Sequence, residues 1–82
     1  MLIERGRQLV KAKIVDLTNP DASGTLYASV EEAERALALK TKEFRSQGYT
    51  VTEQQIPDED YPQYKVIDVD DVWVGTYTII LQ

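Results

Sequence analysis

SVEEAERALALKTKEFRSQGY, residues 29–49, carries both ends of a helix in its own letters and decides the fold class. Ser29 with Glu32 three residues on is a capping box: the serine hydroxyl can take the Glu32 amide, and the Glu32 carboxylate can reach back to the Ser29 amide. Gly48 is the stop, because a left-handed residue is needed just past a helix and glycine adopts that conformation without a Cβ clash. The same arrangement sets Phe44 against Tyr49 as the accompanying apolar contact. Between the two ends, Val30, Ala33, Leu37 and Phe44 fall on one stripe, with Thr41 filling the gap, and Glu31 and Arg35 form an i,i+4 pair on the solvent side. The acids lie early and most of the bases late, the sense that complements the helix dipole, so these charges are read as helix support rather than a binding patch.

The flanking segments read as strands. Upstream, Gln8 to Thr18 carries Leu9, Val15 and Leu17 on one side and Val10, Ala12 and Ile14 on the other, which places it inside a sheet. Asn19 to Gly24 is a loop on turn chemistry, and Thr25 to Ala28 is a short return strand. Downstream, Tyr49 to Ile56 is a third strand whose Glu53-Gln54-Gln55 segment suits an edge. Pro57 to Pro62 is a loop, followed by two β-branched and aromatic segments, Gln63 to Val69 and Val72 to Leu81. Asp70-Asp71 is read as the turn between them, with a bulge in one long strand as the alternative. The expectation is a two-layer α+β domain spanning residues 1–82: a single helix on a mainly antiparallel sheet of about five strands, in the order β-β-α-β-β-β.

Composition limits the chemistry. A chain of 82 residues supports one core, and a deep enclosed pocket would remove packing that such a small core needs, so function is expected at the surface. There is no cysteine and no histidine, which rules out disulfides, thiolate metal sites, histidine general bases and the usual nucleophile pairs. The isolated glycines assemble no phosphate loop, and no cofactor is expected. Met1-Leu2-Ile3 runs at once into Glu4, Arg5 and Arg7, and the longest purely aliphatic run is Ile79-Ile80-Leu81, so a cytoplasmic protein is expected. Enzymatic activity is not expected, because the acids fall in loop or turn sequence, where nothing would tune them.

Charge is distributed unevenly. The net −5 arises from a basic start, with Arg5, Arg7, Lys11 and Lys13 against Glu4, then Asp16 and Asp21 without a base, a neutral helix, and an acidic last third in which seven acids face Lys65 alone. Such a chain repels phosphates, so direct nucleic-acid binding is not expected and a protein partner with a basic surface is favoured.

The register of the last hairpin suggests where that partner would dock. Pairing Val69 with Val72 and Ile67 with Val74 puts one aliphatic face against the helix. The opposite face then carries Tyr64, Val66, Asp68, Trp73, Gly75, Tyr77, Ile79 and Leu81. One helix cannot cover two faces, so Tyr64, Trp73 and Tyr77 are candidate docking aromatics, with a shallow dip at Gly75 opposite Val66. The alternative is that these rings fill the core. Asp58, Glu59, Asp60, Asp68, Asp70 and Asp71 are the candidate acidic rim. Asp68 to Asp71 does not make a calcium loop, because Trp73 stands at the glycine position and Ile79 at the closing glutamate position, and no metal is expected. The leading reading is a non-enzymatic interaction module, of the class of small acidic inhibitors such as phage-encoded anti-defence proteins acting on a nucleic-acid-handling partner. A second is a structural protein that self-associates as a homodimer through the open sheet face or the C-terminal strand. A third is a small-ligand site at the Gly75 dip.

Overall fold

Ser29 holds an extended backbone (φ −149°, ψ 163°), and its Oγ accepts the Glu32 N–H at 3.2 Å, opening α1 (Val30–Ser46) with the serine half of the expected box. The other end closes as a Schellman motif. Gly48, at φ 90°, donates its N–H to Arg45 O at 3.0 Å, and Tyr49 donates to Phe44 O at 3.0 Å. The Phe44 and Tyr49 rings stack with centroids 5.4 Å apart. Ala33, Leu37 and Thr41 are the buried positions of α1, three members of the stripe read from the sequence.

The computed structural model describes residues 10–19 and 24–82. Gln8 and Leu9 of the first expected strand, and loop residues 20–23, lie outside the described residues. The strands are β1 (Ala12–Asp16), β2 (Thr25–Tyr27), β3 (Thr50–Gln54), β4 (Gln63–Ile67) and β5 (Trp73–Leu81). They form one sheet in the order β2-β1-β5-β4-β3, and every neighbouring pair is antiparallel. With α1 packed on one side of it, this is the two-layer α+β fold.

The polar β3 stands at an edge and β1 lies inside, as their sequences suggested. The C-terminal strand does not stand at an edge. β5 pairs with β1 on one side and β4 on the other, so its main-chain groups are committed within the sheet and cannot add to a partner strand.

The core lies between α1 and one sheet face. Ala12, Ile14, Ala33, Leu37 and Ile79 form its buried cluster, with Tyr27, Val30, Ala36, Tyr61, Tyr64 and Tyr77 packed around it. Val66, fully buried, lies on the same face through its register with Val51 and Gly75. This reverses the expected assignment, which set Ile67, Val69, Val72 and Val74 against the helix: Ile67 pairs with Trp73 on the far face, and of the four Val69, in the turn, still reaches Gly48 at the end of α1. Both faces of the hairpin carry aliphatic groups, so alternation alone left the choice to the neighbouring strands.

The turn explains a second difference. Asp68 O accepts the Asp71 N–H at 3.0 Å and Asp68 N–H donates to Val72 O at 2.8 Å, closing a three-residue loop of Val69, Asp70 and Asp71. Asp71 is left-handed, at φ 66°, and the Asp68 carboxylate accepts the N–H groups of Asp70 (2.8 Å) and Val72 (2.9 Å). Ile67 therefore pairs with Trp73 rather than Val74. Val66 still pairs with Gly75, which leaves Val74 as a bulge.

Candidate functional site

The bulge sets the direction of Trp73. Without it, Trp73, Gly75 and Tyr77 would share a face; with Val74 unpaired, Trp73 shares a face with Thr76, away from the helix. Its indole Nε1–H donates to Thr76 Oγ1 at 2.9 Å and to Gly75 O at 3.2 Å, and the Lys65 ammonium stands 4.9 Å from the ring centroid. The ring is nevertheless 56% exposed. It is an apolar surface in a fixed orientation, held at its polar atom and uncovered elsewhere. Around it an open cleft of about 540 Å³ is lined by Leu17, Thr18, Gln54, Gln63, Lys65 and Thr76.

Asp16 anchors this arrangement from the end of β1. Its Oδ1 accepts the Thr76 N–H at 3.0 Å, the Thr18 N–H at 3.0 Å and the Thr18 hydroxyl at 2.6 Å. Partial burial pushes the Asp16 carboxyl up, but the Thr18 and Thr76 hydrogen bonds and the charge of Lys40 outweigh it and hold the group below the ordinary carboxylate value. Asp16 thus ties β1 to β5 at the residue whose hydroxyl receives the indole.

Tyr64 and Tyr77 are not on this face. Tyr77 stacks on Phe44, with centroids 5.9 Å apart, and carries the Lys40 ammonium 4.9 Å from its centroid. Burial, and secondarily the Asp16 charge, raises its phenol pKa; burial, then the Glu53 charge, does the same for Tyr64. Both rings belong to the helix–sheet interface, so the three aromatics do not form one patch. The dip at Gly75 is also filled: a Cβ there would meet the Tyr77 ring at 2.9 Å, and Gly75 itself is buried. Glycine at this position makes room for the tyrosine rather than for a ligand.

The acids fall into two groups at opposite ends of the sheet. Asp58, Glu59 and Asp60 lie beside Ile79, Ile80 and Leu81, while Asp68, Asp70 and Asp71 form the hairpin tip next to Trp73. Among the described residues, no three acidic, histidine or cysteine side chains group closely enough to hold a metal ion. No described helix is long and apolar enough to cross a membrane.

The sequence reading overlooked Lys13, Lys65, Thr76 and Asp16. The signal was present in the alternation of Gln63-Tyr64-Lys65-Val66 and Thr76-Tyr77-Thr78-Ile79, which separates polar positions from apolar ones and identifies the solvent face. Compared with known proteins, the chain matches no family model, no curated protein and no solved structure.

Proposed function

We propose that this is a non-enzymatic protein-binding module that docks its partner on the sheet face left uncovered by α1, with Trp73 as the anchor. The observation that carries the reading is the Trp73 ring, more than half exposed yet held by a bifurcated hydrogen bond from its one N–H and by a lysine. A tryptophan fixed in this way loses little further side-chain entropy on binding, which is why such residues dominate interface energetics. Leu17 and Ile80, 45% and 43% exposed, add apolar area to the same face. The acidic loops at the two ends of the sheet supply a rim that attracts a partner whose surroundings are basic.

Affinity capture with the parent protein and a Trp73→Ala variant, each checked for folding by circular dichroism, tests the reading. A stoichiometric partner held by the parent and lost by the folded variant supports it. Equal retention by both would move the interface elsewhere, and light scattering that showed a stable homodimer unaffected by Trp73→Ala would favour assembly over docking.

A further inference from the structure

The open face has a charge opposite to that of the whole chain. Lys13 and Lys65 stand on it, and Lys11 continues the alternation from Lys13, whereas among the described residues no strand position on this face is occupied by Asp or Glu. Glu53 lies on the helix side, in register with Tyr64. In a protein of net charge −5, the centre of the proposed docking face is therefore positive, with its acids displaced to the end loops.

We infer that this face takes an acidic peptide segment, lying diagonally across β5 between Lys65 and Lys13, with an apolar residue against Trp73. The inference rests on the docking reading above and names the partner's chemistry. Lys65 stands opposite Thr76 and Lys13 opposite Ile80, on strands two places apart. At ~3.3 Å per residue and ~4.8 Å per strand, their Cα atoms are ~16 Å apart. An extended peptide matches that span with carboxylates about five residues apart, and the flexible lysine stems allow a residue either way. Between the lysines, Thr76 and Thr78 are buried, with their hydroxyl groups already bonded to Trp73 Nε1 and Pro62 O, so the floor is closed and selection falls to the lysines and the indole. A nucleic-acid strand fits less well. Its evenly spaced phosphates would run beyond the lysines into the acidic loops at either end of the sheet.

Selection of random twelve-residue peptides on the whole protein tests this, with a Lys13→Glu/Lys65→Glu variant in parallel and circular dichroism confirming its fold. The expected outcome is enrichment of peptides with two Asp or Glu residues four to six apart and an apolar residue nearby. Such a peptide should bind the double variant more than ten-fold more weakly, should lose affinity between 50 and 200 mM salt, as expected for paired charges screened on that scale, and should shift the fluorescence of Trp73, the single tryptophan. Enrichment of peptides without acid bias, still displaced by Trp73→Ala, would overturn the acidic partner and leave the docking reading standing. Selected peptides indifferent to Trp73 would overturn both. A fifteen-residue single-stranded oligothymidylate that outcompetes the acidic peptides on this face would overturn the inference in favour of nucleic acid.

Discussion

On the helix-covered face the strand positions are filled by Ala12, Ile14, Tyr64, Val66, Tyr77 and Ile79; on the other, the same strands present Lys13, Val15, Lys65, Trp73, Thr76 and Thr78. The first set is held by packing, and removing a side chain there leaves a cavity. The second is held by hydrogen bonds and a cation–π contact around an exposed ring; Thr76 and Thr78 are buried beneath it, but Trp73 itself can be removed with less loss of fold than a core side chain. Packing thus holds one side of the sheet and the proposed docking surface lies on the other, a separation that would let the outer face be altered while the molecule stays folded.

The largest test of this separation is a pair of truncations. Leu37→Ala, at a position only 4% exposed, should cost about 2–5 kcal/mol in urea denaturation, the range for a buried leucine whose cavity cannot fully collapse. Trp73→Ala removes a larger side chain yet should cost less, about 1–2 kcal/mol, since more than half of the ring was never taken from water and its contact with Lys65 is worth ~0.5–1 kcal/mol. Equal losses would mean that the outer face is part of the core.

Gly75→Ala comes next and probes the covered face at its tightest point. The new methyl must displace the Tyr77 ring, which is confined between Phe44 and Lys40, so a loss of about 1–3 kcal/mol is expected. Tyr77→Leu in the same background should recover part of it. No recovery would place the strain in the backbone.

Asp16→Asn joins the two faces, since the carboxylate belongs to β1 yet holds the N–H of the threonine that receives the indole. A loss of about 1–2 kcal/mol at pH 7 is expected, because hydrogen bonds to an ionised acceptor weaken when the acceptor becomes neutral. The folded-state pKa lies below the unfolded value of ~3.9, so the stabilisation is fully present above that value and disappears as pH falls through the lower folded value. The difference between parent and variant should therefore shrink from pH 5 toward pH 2. A constant difference would assign the effect to geometry rather than charge.

The parts of the fold visible in the sequence are those set by local chemistry. The Ser29 cap, the Gly48 stop and the Phe44–Tyr49 contact each concern residues within six positions of one another, and the structure forms the serine half of the box, the glycine stop and the ring contact. The polar Glu53-Gln54 segment marked an edge for a similarly local reason. What could not be read was how a strand is flanked: Ile79-Ile80-Leu81 looks like an available last strand, but non-local pairing with β1 puts it at the sheet centre. The grouping of Trp73 with Tyr64 and Tyr77 failed through one residue. Strict alternation groups Trp73 with Tyr77, and only the three-residue loop and the unpaired Val74 move the indole to the other face.

The smallest expected effect tests that loop directly. Asp71 holds φ 66°, a conformation in which a Cβ crowds the following carbonyl and which glycine reaches freely. Asp tolerates it better than most residues, and here the Asp68 carboxylate braces the backbone on both sides through the Asp70 and Val72 amides. Asp71→Gly should therefore stabilise the protein by about 0.5 kcal/mol, the strain relieved being partly offset by the extra chain entropy of glycine in the unfolded state. The loop fixes the Ile67–Trp73 pair, so the substitution should also leave Trp73 fluorescence unchanged. A destabilised variant with a shifted emission would show that Asp71 sets the hairpin register through its side chain, making the position of Trp73 on the outer face depend on that carboxylate as well as on the turn it occupies.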